Sequence, residues 1–218
     1  MVQQINQNKH SYFSMGISGI NTYMAGKLFD RLEKEAFRGG IQARTKESMT
    51  WFRQRVSTIK GVSRQELLKD AVSRKRQIFG EMMMFMYDPK HKKTLPYYDR
   101  FPLCIPVEPA KGGFYGLNLH YLPHTLRAQF LDALYERTNN DKFDATTRFK
   151  LTYKLLKGIS GKPYYKACYK HYLSSHVKSK FARVDSADWE IAIFLPIESF
   201  RKSSMGSVWK ESRKRITG

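Results

Sequence analysis

The stretch FGEMMMFMYDPKHKKTLPYYDRFPLCIPVEPAKGGFYGLNLHYLP, from Phe79 to Pro123, decides the fold of this chain. It contains three apolar, aromatic-rich runs, which are separated by the turn-forming segments Asp88–Lys90 and Ala110–Gly113. Runs of this kind between Gly- and Pro-containing turns are typical of strands joined by short loops. The stretch therefore predicts three consecutive β-strands, at about 78–87, 101–107 and 113–121.

The three predicted strands differ in how they are expected to lie in a sheet. The first run is almost entirely apolar, which indicates a central strand or one covered on both faces. The second contains Pro102 and Pro106, which lack the N–H that a ladder hydrogen bond requires, so we expect an edge strand or a bulged one. In the third, Gly112, Gly113 and Gly116 indicate a hairpin turn with flexible glycines, because no Lys-Ser/Thr pair follows to make a P-loop.

On both sides of this β-rich stretch the sequence predicts mainly helices. Helical spacing, caps and breakers predict helices at 22–37, 44–59, 63–72, 123–137, 145–157 and 163–177, with a last one ending in Lys210–Arg215. Two short strands are predicted at 180–184 and 189–195. The order predicts an α+β fold, with a small antiparallel sheet or SH3-like barrel embedded in basic helices. We expect a polar N-terminal arm (1–19) and one domain (20–218). Within the domain, a helical part (20–76) precedes a β-core (78–122), and the late strands (180–195) close this core.

The charge of the chain is strongly positive. The 218 residues include 39 Lys and Arg against 19 Asp and Glu, which gives a net charge of +20. Between Arg44 and Arg76 alone, ten basic residues stand against three acidic ones. Such an excess repels itself unless an anion lies nearby, and nucleic acid is the commonest such partner because phosphate neutralisation releases counterions. Acidic protein surfaces remain an alternative partner.

The segment KPYYKACYKHYLSSHVKSK, read as the helix at 163–177, offers a second basic surface. Lys162, Lys166 and Lys170 recur every four residues beside Tyr165, Tyr169 and Tyr172, a pattern that would suit phosphate contacts. A solvated lysine face over a tyrosine-lined core would give the same pattern. No helix carries an Arg and Asn array suited to reading base edges, so any DNA contact is expected to be independent of sequence.

Catalytic and metal-binding signatures are weak. His120 with His124 and His171 with His176 lack the further ligands of a zinc set, and Asp88, Asp99 and Glu108 do not have the spacing of a metal-dependent nuclease. Cys104 and Cys168 are expected to be reduced, buried thiols, although a disulfide between them stays open. The N-terminus has no apolar signal segment, and no apolar run is long enough for a membrane span. The sequence thus predicts a protein that is not an enzyme and needs no cofactor or metal.

Several segments resemble a known group of viral proteins. They are Tyr87–Lys90, Leu95–Pro102, Gly113–Pro123 and the pair Trp189–Ala192 and Phe194–Pro196. Together they resemble virion proteins of large contractile-tailed, T-even-related bacteriophages, of the DNA end-protector type. The resemblance implies a minor virion component at the end of the packaged genome that shields the injected terminus from host exonuclease. It implies no catalytic residues.

Three hypotheses follow for function, of which the least favoured, a nuclease or other enzyme, would need a carboxylate cluster that the sequence does not reveal. In the first, the protein is a non-enzymatic virion component, assembled in the host cytoplasm, that contacts the backbone of double-stranded DNA. Its contacts are then expected from Arg44, Lys46, Arg53, Arg55, Lys60, Arg64, Arg74, Lys75, Arg76, Lys162, Lys166 and Lys170. In the second, it is a structural adaptor that docks on portal, neck, tail or baseplate subunits through the arm and the aromatic loop 95–102. A continuous basic face would favour the first hypothesis and scattered charge the second. Neither involves a membrane.

Overall fold

The computed structural model describes residues 27–138, 153–158 and 165–217. The helices are α1 (Lys27–Arg38), α2 (Lys46–Ser57), α3 (Arg64–Asp70), α4 (His124–Thr138), α5 (153–158), α6 (Trp189–Ala192) and α7 (Met205–Thr217). The strands are β1 (Val72–Arg74), β2 (Met83–Met84), β3 (Tyr98–Asp99), β4 (Leu103–Ala110), β5 (Gly113–Asn118), β6 (Tyr169–Leu173), β7 (Phe181–Arg183) and β8 (Phe200–Arg201). The predicted arm and most of the helix expected at 145–157 lie outside these residues.

The sheet that the sequence predicts is small and antiparallel, and the α+β class is confirmed. Six strands follow the order β1-β7-β2-β4-β5-β6, while β3 and β8 form a separate two-stranded sheet. The proline-rich strand β4 lies between β2 and β5, so it is not an edge strand. The predicted bulge is confirmed, because the β4–β5 register shifts between Pro106 and Glu108. A bulge interrupts the ladder and so tolerates the missing N–H of Pro106.

The six-stranded sheet curls back on itself. Beyond β2, Tyr87 forms a bridge with Val177, just after β6. Asp88 N donates to His176 O over 3.0 Å, and Lys178 N donates to Met86 O over 2.8 Å. The curl encloses an aromatic cluster of Phe85, Phe114, Tyr172 and Phe181, with ring centroids 4.9 to 6.1 Å apart. This packing explains why the first apolar run is buried on both faces, as predicted.

A helical layer joins the other face of the sheet. In α2, Met49, Phe52 and Val56 are buried along one face, as their spacing of three to four residues in the sequence indicates. The buried Glu190 in α6 fixes the start of α2, because its carboxylate accepts from Ser48 Oγ over 2.7 Å and from Arg44 N over 2.9 Å. In α4, Phe130, Leu131 and Leu134 are buried as well. These contacts place the helices and the sheet around one main hydrophobic cluster.

Two predicted elements near the C-terminus are wrong. The helix expected at 163–177 is, from residue 165 on, a turn followed by β6, because Tyr169–Leu173 pairs along β5 from Gly113 to Leu117. Tertiary pairing overrides the four-residue spacing of the lysines, and Tyr side chains suit a strand. The strand expected at 189–195 is instead the short helix α6 and a following turn. A short apolar run does not reveal its period when every side chain is buried.

Candidate nucleic-acid interface

Several of the predicted DNA-contacting cations serve the fold itself. Arg64 donates to the carbonyl oxygens of Ile197 and Glu198 over 2.8 and 2.6 Å. Arg55 donates to the carboxylate of Glu35 over 2.6 Å. Arg44 is half-buried, its backbone takes the left-handed conformation (φ 61°), and its guanidinium stacks on Tyr135. These three cations anchor neighbouring segments and have less freedom to move onto a phosphate.

The other predicted cations are mostly exposed. The exposed residues are Lys46, Arg53, Lys60, Arg74, Lys75, Arg76 and Lys166, whereas Lys162 lies outside the described residues. Three of them are consecutive at the edge strand β1, which pairs with β7 so that Arg74 lies opposite Phe181. Lys180, which directly precedes β7, is exposed beside them. We call Arg74, Lys75, Arg76 and Lys180 the basic edge.

Lys170 occupies a different environment from the exposed lysines. Its Nζ lies 4.0 Å from the centre of the Tyr121 ring, and its side chain is partly covered on the inner side of β6. Burial lowers the pKa of Lys170 to about 8; Cys168 opposes that shift and Arg215 adds to it. A desolvated cation beside a second cation is poised to bind an anion. The predicted role of Lys170 in phosphate contact stays a prediction, but its predicted place on an exposed helical stripe is wrong.

A groove of about 610 Å³ opens beside Lys170. One wall is the loop after β2 with β3, and the opposite side comes from β6, Tyr121 and the end of α7. We call it the tyrosine groove. Its lining includes Tyr87, Lys90, His91, Pro96, Tyr97, Tyr98, Asp99, Tyr121, Lys170, His171, Tyr172 and Arg215. Aromatic rings beside cations are the combination that binds unpaired or terminal nucleotides.

A hydrogen-bonded network forms the floor of the groove. Asp99 is buried and lies 2.7 Å from Nδ1 of the buried His120, and it also accepts from the main-chain N–H of Phe101 and Ser199. Asn118 links this carboxylate to the hydroxyl of Tyr172. Burial acts to raise the pKa of Asp99, but His120 and these hydrogen bonds offset it and hold the pKa below its usual value. The Asp99 carboxylate is thus stabilised by hydrogen bonds within the floor.

The walls of the groove are held in place by polar contacts. Lys202 Nζ donates to the carbonyl oxygens of Lys93 and Leu95 over 2.7 and 3.0 Å, which ties the loop after β2 to the end of β8. Tyr97 hydrogen-bonds Glu211 of α7, and burial together with that carboxylate raises the pKa of Tyr97 to about 12. Glu211 also pairs with Arg215. A wall fixed in this way is pre-organised for a ligand.

Comparison with known proteins identifies the family. The family model described as Phage T4 terminal DNA protecting protein matches residues 18–213. The chain belongs to that family. No curated protein and no solved structure matches the chain. The resemblance to end-protector proteins of T-even-related phages is therefore confirmed.

Three segments that carried the resemblance to the terminal DNA protecting family build the tyrosine groove. Tyr87–Lys90 supplies Tyr87 and Lys90, Leu95–Pro102 supplies Tyr97, Tyr98 and Asp99, and Gly113–Pro123 supplies Tyr121. Sequence reasoning gave the aromatic loop 95–102 a role only as the docking surface of the adaptor hypothesis, and it assigned no role to Tyr121 or Arg215. The aromatic loop 95–102 was a usable signal, because tyrosines flanked by prolines outside a core stripe often serve recognition.

Three further features of the described residues concern metal ligands, cysteines and helix length. Within residues 27–138, 153–158 and 165–217, no group of three or more His, Cys, Asp or Glu side chains could hold a metal ion. Cys104 and Cys168 are free and buried, in agreement with the expected reduced thiols. Among the helices in that part of the chain, none has the length and apolar character needed to cross a membrane.

Proposed function

We propose that this protein binds the ends of linear double-stranded phage DNA without regard to sequence and shields them from exonucleases. Membership of the terminal DNA protecting family carries the proposal. The excess of 39 basic over 19 acidic residues supports a polyanionic partner. The position would be in the virion, after assembly in the host cytoplasm.

The basic edge supports backbone contact with the duplex. Arg74, Lys75 and Arg76 are exposed, and within the described part of the chain they form no ion pair or side-chain hydrogen bond. Cations that are not neutralised by the protein's own carboxylates can release counterions from DNA, which makes binding sensitive to salt. Such contacts position a protein but carry no sequence information.

Protection by this protein would come from occupying the terminus rather than from chemistry. A bound protein that covers the last base pairs denies an exonuclease the end on which it must load. No residue need act as a nucleophile or general base, so we infer a non-enzymatic role. The predicted arm (1–19) and single domain (20–218) remain part of this proposal.

A binding and protection assay tests the proposal. A linear duplex and a circular duplex of the same sequence are compared for affinity over a range of salt concentrations, and the linear one is then challenged with an exonuclease. We expect tighter binding to the linear form, a steep loss of affinity with salt, and slower degradation of the bound DNA.

The structural adaptor remains the alternative outcome of the same assay. A protein that binds neither DNA form, but is retained by portal, neck, tail or baseplate subunits, would have its charge directed at acidic protein. Equal affinity for circular and linear duplex together with unchanged exonuclease degradation would argue against end protection.

A further inference from the structure

We propose that the tyrosine groove holds the terminal nucleotide of a DNA strand, with its 5′-phosphate against Lys170 and Arg215 and its base against Tyr97. The inference rests on the function proposed above and adds the part of the DNA that is recognised. The basic edge would follow the contour of the duplex, whereas the groove would recognise the end itself.

The charge of the groove favours a terminal phosphate over an internal one. Lys170 and Arg215 line the same space and repel one another, while Lys90, His91 and His171 add further cationic or titratable groups. Of the carboxylates near them, Asp99 is engaged by hydrogen bonds in the floor and Glu211 is shared between Tyr97 and Arg215. A terminal phosphate monoester carries close to two negative charges near neutral pH, like other phosphate monoesters. An internal phosphodiester carries one, so the monoester compensates the two cations better.

The aromatic side of the groove favours a terminal base. Tyr97 is half-buried, and its ring is held by Glu211 and by neighbouring Tyr121, whose centroid lies 5.9 Å away. A fixed ring that lines a groove is a stacking platform that accepts any base. Inside a duplex both faces of each base are covered by neighbours, and only the last pair offers a free face. A volume of about 610 Å³ lies within the range of small-ligand sites.

The test uses a duplex with one open end, whose other end is closed by a hairpin. Its open end carries either a 5′-phosphate or a 5′-hydroxyl, and a duplex closed at both ends serves as the reference. We expect the full-length protein to bind the phosphorylated end about tenfold more tightly than the hydroxyl end, since hydrogen bonds to charged groups dominate the difference.

Matched variants show whether the groove is responsible. Arg215→Gln and Lys214→Gln remove one charge each from adjacent exposed positions of α7, but only Arg215 lines the groove. Arg215→Gln is expected to abolish most of the preference for the phosphorylated end, and Lys214→Gln to retain it. Lys170→Met should act like Arg215→Gln, and Tyr97→Leu should weaken binding to both open ends. Circular dichroism and thermal unfolding check that each variant folds.

The outcomes separate this inference from the proposed function. Tighter binding to open ends than to the doubly closed duplex, without any effect of the phosphate or of Arg215→Gln, would overturn the groove while leaving end protection in place. Equal binding to open and closed duplexes would overturn the proposed function itself. A preference for the phosphorylated end that both α7 variants retain equally would also place recognition outside the groove.

Discussion

The buried guanidinium of Arg127 lies 2.5 Å from the carboxylate of Glu198. The same side chain donates to the carbonyl oxygens of Leu122 and Ile193, each over 2.8 Å, and stacks on Trp209. It therefore connects the start of α4 with the end of α6 and with α7. Although burial acts to raise the pKa of Glu198, His124 and Arg127 hold that pKa well below its usual value.

Replacement of Arg127 by Met should destabilise the protein by about 3–5 kcal/mol, because the Glu198 carboxylate would stay buried without its partner. Urea unfolding followed by circular dichroism measures the change. Combining Arg127→Met with Glu198→Gln should recover part of the loss, since the uncompensated charge is then gone. A loss below about 1 kcal/mol in the single variant would contradict the role given to this pair.

Stability should fall as the pH rises from about 4 to about 8, owing to Asp188. Burial and the neighbouring Glu33 raise the pKa of Asp188 to about 8, and its Oδ1 is buried without a hydrogen-bond partner. The folded state thus binds a proton more tightly than the unfolded chain, and that contribution to stability is lost as the proton leaves. Asp188→Asn should therefore lose less thermal stability than the parent between these pH values. If the thermal stability of the two proteins changed with pH in the same way, Asp188 would not be the cause of the pH dependence.

A methyl group at Gly116 should destabilise the sheet. A Cβ there would lie 2.4 Å from Cys104 Sγ and 3.2 Å from the carbonyl oxygen of Ile105. We expect Gly116→Ala to cost about 1–3 kcal/mol in chemical denaturation, as overpacking does in other cores. Gly206→Ala is the matched control, because nothing lies within 4 Å of its Cβ and it sits in α7. It should instead stabilise the protein by about 0.5–1 kcal/mol; equal effects would contradict the close approach.

The basic edge should determine much of the salt dependence of DNA binding. Lys75→Gln with Arg76→Gln is expected to reduce the slope of log affinity against log salt by about 2, because each lost phosphate contact removes about 0.9. Lys34→Gln with Arg38→Gln removes the same charge from exposed positions of α1 and serves as the control. Identical slopes for the two double variants would show that DNA binding depends on the net charge of the protein and not on the basic edge in particular.

Local signals predicted the parts of the fold that depend on neighbours in sequence. The turn between Ala110 and Gly113 lies where the glycines place it, and the stripe of α2 follows from Met49, Phe52 and Val56. The segment at 163–177 could not be assigned in the same way, because β6 is a strand only through its pairing with β5, more than fifty residues earlier. The four-residue lysine spacing is compatible with a helix until that partner is known.

The candidate site likewise contains residues that the sequence could predict and residues that it could not. Charge alone identified Arg74, Lys75 and Arg76 of the basic edge, since consecutive Arg and Lys seldom lie in a core, but it did not single out Lys180. It could not separate them from Arg64, which donates to main-chain oxygens more than 130 positions away. The sequence alone could not predict the tyrosine groove, because Tyr97, Tyr121, Lys170 and Arg215 come together only in the folded protein.

The neighbours of β2 have a consequence for how the chain reaches its native state. Met83 pairs with Cys104 on one side and with Arg183 on the other, and within the part of the chain that the structure describes β1 pairs with β7 alone. The apolar run Met82–Phe85 therefore emerges from the ribosome long before its second partner is synthesised. Pairing between strands that are distant in sequence slows folding, and it leaves this apolar, aggregation-prone run exposed until the second partner strand is available. Fragments that end before residue 181 are expected to aggregate or to recruit chaperones, whereas the full-length chain can bury this run.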